Sequence, residues 1–241
     1  MQRIKLKIAY DGSKYRGFQS QKSHSNTIIN TLQKALKSLG IFETPIGSGR
    51  TDKGVHANNQ ILHLDIPNYW VDRLEKLKDQ LNNKLYYIHI KKISLTNNSF
   101  HARYHAKKRA YRYIISSKEN VFQNNYIHYQ KNLNFSKIKE AIPYLLGEHD
   151  FEYFRKTGSD EKSTIRIIYD INFYKYKNYF IFKIQGNGFL RSQIRIIIGF
   201  LIQISQEKLT NHDLEEQLKK KINIYNKPIS ATGLYLHRIY Y

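Results

Sequence analysis

Cysteine is absent from the 241 residues. That absence rules out disulfides, thiolate zinc sites and a cysteine nucleophile, and it fits a reducing compartment, so a cytoplasmic location is expected. Carboxylates are scarce too: nineteen Asp and Glu stand against forty Lys and Arg, a formal charge of +21. Such a chain is poorly supplied for a nuclease that gathers several carboxylates around metal ions. Long apolar runs are also missing. The longest, IRIIIGFLIQI at 194–204, is broken by Arg195 and Gln203 and is far short of the roughly 20 residues that span a bilayer. The opening MQRIKLKIAYDG is charged from its third residue and carries no signal-like apolar stretch. A soluble protein with no membrane partner is expected.

What is abundant points the other way. Basic residues are spread along the whole chain and not gathered in a tail, so the folded surface itself is positive, the footprint of a nucleic-acid binder. A chain of this length can bury roughly 70–75% of its unfolded surface, enough for a core without covalent or metal staples.

The hydrophobic pattern alternates between strand and helix periods. RIKLKIAY (3–10) reads as a strand with one buried face, and NTIINTLQKALKSLG (26–40) as a helix capped by Asn26. QILHLDI (60–66), YYIHIKKISL (86–95), RAYRYIIS (109–116) and GLYLHRIYY (233–241) have strand character, and VDRLEKLKDQLNNKL (71–85) is a second amphipathic helix. SKIKEAIPYLLG (136–147) is helical up to Pro143, which kinks it or opens a new turn. Residues 163–186 form a hairpin turning at Lys177 and Asn178; 189–206 is apolar nearly all round, as in a buried helix; 210–221 is a capped surface helix. Strands mixed with helices in both halves predict an α+β (mixed α/β) fold with a mainly antiparallel sheet.

The loop GSGRTDKGVHANNQ (47–60) sets one carboxylate, Asp52, between Arg50 and Lys53, with glycines at 47, 49 and 54. It matches neither the spacing of a P-loop nor that of a dinucleotide fingerprint, and it leads into a strand where both of those open a helix. Asp followed by Gly is also ordinary turn chemistry. Flanking cations favour the anionic form of a carboxylate, which suits a nucleophile or base and not a general acid. His101 and His105 have helical ligand spacing but no third ligand, and Glu148, His149 and Asp150 point in different directions, as expected of a helix-exit turn; no metal site is expected. The arginines and tyrosines of KKRAYRYII (107–115) fit RNA binding by stacking and phosphate contacts, or equally a sheet with aromatic cross-strand pairs.

Five stretches taken in order resemble the TruA-type tRNA pseudouridine synthases: YDGSKYRGFQ (10–19), GSGRTDKGVHA (47–57), FHARYHAKKRAYRYII (100–115), GNGFLRSQIRIIIG (186–199) and GLYL (233–236). The resemblance implies the pseudouridine-synthase fold: two related lobes, here expected at 1–105 and 106–241, with the Arg-Thr-Asp loop in a basic cleft between them. It implies an isomerase without cofactor or metal that converts uridine to pseudouridine at positions 38, 39 and 40 of the tRNA anticodon arm, working as a homodimer. Asp52 maps onto the nucleophile, Arg50 onto the residue that fills the space of the flipped base, Tyr111 onto the tyrosine that contacts uracil, and Arg195 onto the arginine paired with the aspartate. His56, Arg109, Arg112 and Phe189 fall within the same motifs as further substrate contacts. The loop glycines would let the RNA backbone approach. Phe18, Ser48 and Gln193 depart from the family pattern, where tryptophan, alanine and methionine are common. The alternatives from other classes are a non-catalytic RNA-binding protein or chaperone with this fold, and a metal-dependent nuclease, which the scarce carboxylates disfavour.

Overall fold

The structure is a computed structural model that describes residues 1–21, 24–158 and 162–241. In chain order its strands and helices are β1 (Gln2–Tyr10), α1 (Ile28–Lys37), β2 (Ile46–Gly47), β3 (His56–Ile66), α2 (Leu74–Lys84), β4 (Ile88–Leu95), β5 (Lys108–Ser116), β6 (His128–Tyr129), α3 (Phe135–Ala141), β7 (Gly147–Asp150), β8 (Ile165–Tyr176), β9 (Tyr179–Gly186), α4 (Gln193–Ser205), α5 (Asn211–Leu218) and β10 (Leu234–Tyr240). They divide into two units, Met1–Lys107 with Tyr235–Tyr241, and Lys108–Leu234. The sequence reading assigned residues 235–241 to the second lobe; in this division they belong to the first unit.

In the first unit, β1 is flanked by β3 and β4, both antiparallel to it, with Ile4 opposite Leu64 on one side and Leu95 on the other. The period of β1 explains the arrangement: Ile4, Leu6 and Ile8 are fully buried, while the basic residues between them alternate to the other face. The stripes Ile28, Ile29, Leu32 and Leu36 of α1, and Leu77 and Leu81 of α2, are buried in the same core. Each such side chain contributes about 1.5–3 kcal/mol. β10 pairs parallel to β3, with Tyr235 opposite His56. The N-cap of α1 is Thr27, whose hydroxyl accepts from Asn30 N–H at 3.3 Å, and not Asn26, whose amide donates to the Lys14 carbonyl at 2.9 Å. The helix starts there because the Ile28 and Ile29 N–H groups donate to the carbonyls of Gly17 and Phe18.

In the second unit, β5, β9, β8 and β7 pair in that order, all antiparallel, and β6 runs parallel to β5. The hairpin of β8 and β9 turns through Lys177 and Asn178 as the sequence predicted, Lys177 taking φ 51°. Eleven of the thirteen α4 residues are buried, which accounts for an apolar pattern all round the helix. Pro143 opens a separate turn, Ile142–Leu145, after α3. Glu148, His149 and Asp150, expected as a helix-exit turn, instead lie in β7, with Asp150 opposite Ile165 and its carboxylate 2.6 Å from Lys220. A strand of four residues is too short for its alternation to show in a sequence. The capping box on α5, Thr210 with Asp213, is present.

Candidate active site

The Arg-Thr-Asp loop is held from three sides within the first unit. At its stem, Ser48 is fully buried; its N–H donates to the Ile61 carbonyl at 2.8 Å and its hydroxyl donates to Gln60 Oε1. The Gln60 amide donates in turn to the Gly49 carbonyl at 2.8 Å. In the middle, Thr51 bonds to the Tyr10 hydroxyl at 2.8 Å, and its carbonyl accepts from Phe18 N–H at 3.0 Å. At the exit, the Val55 N–H closes a turn onto the Asp52 carbonyl at 3.2 Å. The outcome is a fixed backbone that leaves Arg50 and Lys53 exposed and Asp52 half-buried between them.

The glycine at 47 is required by the protein's own packing. A Cβ there would meet the Phe18 ring at 2.4 Å. Gly54 adopts φ 81°, the left-handed turn that an L side chain resists. Phe18 is therefore the side chain around which the loop stem is built, and it packs on Tyr10 at 6.3 Å between centroids.

His56 follows the loop as the first residue of β3. It is buried, stacked on Tyr235 at 4.7 Å and 19°, and its Nδ1 accepts from Gly12 N–H at 3.2 Å. Asp11 Oδ1 lies 3.3 Å from the same nitrogen. These two contacts are alternatives: without a proton Nδ1 accepts from Gly12, and with one it would donate to Asp11. Gly12 itself lies against the loop exit, where a Cβ would fall 1.9 Å from the Val55 carbonyl oxygen.

The second unit carries the other positions. Tyr111 on β5 is buried, and its ring meets Phe189 edge to face at 5.3 Å and 84°. Phe189 stands on the turn after β9, where Asn187 Oδ1 accepts from Ile167 N–H at 3.0 Å and the Asn187 carbonyl accepts from the Arg109 guanidinium at 2.8 Å. Arg195, in the first turn of α4, donates from Nε to the Ile229 carbonyl at 2.7 Å. Its charge also acts on Tyr113, whose hydroxyl is pushed well above the usual phenol range by burial, Arg195 opposing, and donates to the Ser230 carbonyl at 2.8 Å. Tyr111, Phe189 and Arg109 are thus tied together through one turn. Arg112 follows Tyr111 on β5 and so points to the opposite face, opposite Lys183 of β9.

Several supports were not singled out in the sequence: Gln60, Tyr10, Gly12, Asn187 and Tyr235. Tyr10 and Gly12 sit inside the YDG motif, a visible signal; Gln60 and Tyr235 meet the loop only through tertiary pairing. His101 and His105 organise a turn, each ring nitrogen Nδ1 accepting backbone N–H groups. Among the described residues no group of three or more His, Asp or Glu is placed to hold a metal, and no helix is long and apolar enough to cross a membrane.

A family model described as tRNA pseudouridine synthase matches residues 141–241. A Helicobacter hepaticus protein called tRNA pseudouridine synthase A is 37% identical over 247 aligned residues that cover the whole of both chains. A Campylobacter jejuni protein of the same name is 37% identical over 245 residues, again end to end, and one from Limosilactobacillus reuteri is 39% identical over 252 residues, covering 100% of this chain and 97% of that one. Among solved structures, a chain of a Cbf5-Nop10-Gar1 complex superposes loosely, with a TM-score of 0.39 and 12% identity over 83% of this chain and 45% of the other.

Proposed function

Because this chain belongs to the tRNA pseudouridine synthase A family and is an isomerase, we propose that Asp52 is its nucleophile and that its substrates are uridines 38, 39 and 40 in the tRNA anticodon arm. The reaction breaks the bond between ribose C1′ and uracil N1 and forms one between C1′ and C5. A proton leaves C5 and one is gained at N1, so no redox partner or transferred group is called for. A target base stacked in a helix is out of reach, and turning it out costs a few kcal/mol, which stacking and phosphate contacts offset.

Each residue has a part that suits its surroundings. The Asp52 carboxylate attacks the target nucleotide as nucleophile, and the bond it forms is broken again when the base rejoins C1′ through C5. Exposed Arg50 fills the space that the base leaves. Tyr111, Phe189 and Arg109 receive the uracil and its flanking phosphate; His56 fixes the loop exit; Arg112 holds RNA backbone; and Arg195 serves the carboxylate. The working assembly is a homodimer in the cytoplasm. The observation that carries this reading is the Arg-Thr-Asp loop, a half-buried carboxylate between two exposed cations on a backbone pinned at stem, middle and exit.

The test is to incubate the protein with unmodified tRNA in EDTA and to map pseudouridine by base-specific chemical labelling. Wild type should give product at the three positions and Asp52→Asn none, with tRNA affinity kept. Equal, product-free binding by both proteins would make this a binding protein, and cleavage that EDTA abolishes would make it a nuclease.

A further inference from the structure

The end of the first unit's sheet where β1 finishes and β3 and β4 begin carries more than the Arg-Thr-Asp loop. Directly before β4 stand two tyrosines, Tyr86 and Tyr87, 90% and 40% exposed. They are the wrong residues for an idle surface turn. Two adjacent aromatic rings in water leave a large apolar area unburied, and nothing in the turn requires it.

The two rings touch each other, and a cation lies beside them. Tyr86 meets Tyr87 edge to face, 4.7 Å between centroids at 83°. The Lys14 ammonium lies 5.5 Å from the centre of the Tyr87 ring. The Tyr87 carbonyl accepts from Asp11 N–H at 3.0 Å, so the pair is tied by backbone to the segment whose next residue, Gly12, packs on the loop exit at Val55. Tyr87 is a support, gripped by Lys14 on its face and by Asp11 through its backbone. Tyr86, 90% exposed, presents its ring to solvent beside that support.

We propose that Tyr86, backed by Tyr87 and Lys14, is a stacking step for an unpaired base of the RNA substrate next to the one that Asp52 modifies, with the Lys14 ammonium available to the adjoining phosphate. The proposal rests on the RNA-modifying reading above and adds a binding contact to it. RNA is the occupant that the chemistry selects: a single open ring suits a base, which presents a π-face whatever its sequence, and the flanking cation suits phosphate. A protein partner would call for a wider apolar patch than one ring pair and would gain nothing from Lys14 or from a net charge of +21.

The experiment titrates the full-length protein against a synthetic anticodon stem-loop RNA bearing 2-aminopurine at an unpaired loop position, with pseudouridine formation measured on the same RNA. Tyr86→Ala should raise Kd by roughly five- to a hundredfold, raise KM in step and abolish the quenching of the fluorescent base, as loss of one base–aromatic stack implies. Tyr86→Phe should stay within about twofold of wild type, because stacking needs the ring and not the hydroxyl, and Tyr87→Ala should fall between. Both tyrosines are exposed, so these variants test binding and not folding. Kd unchanged in Tyr86→Ala overturns the proposal, as does a change confined to self-association by sedimentation, which would make the pair a protein contact. A loss in Tyr86→Phe equal to that in Tyr86→Ala also overturns it, since the hydroxyl would then be the contact. Tyrosine-dependent binding by a wild-type protein that forms no pseudouridine would sink the Asp52 reading and leave the stacking step standing.

Discussion

The two units position their candidate residues by opposite means. In the first, Asp52 rides on a loop with no regular structure, and order comes from close backbone approach, Gly12 against Val55 and the Thr51 carbonyl against the Phe18 N–H, backed by the Gln60 side-chain amide on the Gly49 carbonyl. In the second, Tyr111 and Arg195 sit on a strand and a helix, and the irregular piece that carries Phe189, the turn after β9, is held by the side chain of Asn187. A loop fixed by close backbone approach tolerates no added atom. A residue carried on a strand or helix is placed by hydrophobic burial, which spreads over many side chains and forgives single changes.

The sharpest way to break this contrast is Gly12→Ala. The new Cβ would lie 1.9 Å from the Val55 carbonyl oxygen and 2.4 Å from its carbon, and neither is a side chain that rotates away. The loop exit has to move, and with it Asp52. We expect turnover to fall by about a hundredfold or more, since a shift near 1 Å is enough for that, with about 1–3 kcal/mol lost in stability. Turnover by Gly12→Ala at the wild-type rate would show that the segment after β1 does not set the carboxylate.

The same contrast explains what was legible in the sequence. Periodicity revealed β1, α1, the hairpin of β8 and β9 and the buried α4, because each repeats its pattern long enough to be counted. The loop was visible as a motif, yet the reason for its first glycine was not: Gly47 makes room for the Phe18 ring, a partner distant in sequence. β3 begins at His56, before the alternation becomes readable at Gln60, because His56 and Ala57 are buried by pairing with β10, which only the folded chain brings alongside. Asn26 is the better cap on paper, and the choice of Thr27 falls to the Ile28 and Ile29 N–H groups, which donate to the carbonyls of Gly17 and Phe18. β7 escaped because four residues carry too little pattern.

Histidine burial offers a second, milder test of the difference between the units. His63 on β3 is held down to about 4, chiefly by burial, with the positive charges of His101 and Arg3 adding and Asp65 opposing. Its Nδ1 accepts from Ala102 N–H at 3.1 Å, which requires the neutral ring. His101 is lowered for like reasons, by burial first and then by His105, Arg3 and Arg103. In the second unit His128 is lowered by burial alone. The sign follows from proton uptake: between about 4 and the ordinary value near 6.5 the unfolded chain binds protons that the folded one refuses, so stability is full above that window and declines as pH falls through it. The His63 share is on the order of 3 kcal/mol. Urea melts at pH 7, 5.5 and 4.5 should show the loss in wild type and a much smaller one in His63→Gln, whose amide oxygen still accepts from Ala102. Parallel curves for the two proteins would remove His63 from the account.

The smallest effects come from the two buried polar departures, Ser48 and Gln193, one in each unit. Ser48 is a satisfied polar group: its hydroxyl serves Gln60 Oε1, and Ser48→Ala leaves that oxygen with Ile61 N–H at 3.2 Å as its remaining partner. The expected cost is about 1 kcal/mol, or roughly 2–4 °C in Tm. Gln193, fully buried at the start of α4, is satisfied on one side only. Its Oε1 accepts from Leu190 N–H at 2.7 Å, while its Nε2 has no hydrogen-bond partner among the described residues. Gln193→Met removes the bond and the orphaned amide together, so two terms of similar size and opposite sign nearly cancel, and Tm should move by less than about 2 °C in either direction. Thermal melts of the two variants side by side therefore separate a buried polar group that holds its loop from one that only fills its place. A Gln193→Met protein destabilised as much as or more than Ser48→Ala would mean that the bond to Leu190 fixes the turn before α4 as firmly as Gln60 fixes the loop, and the two units would be less different than their geometry suggests.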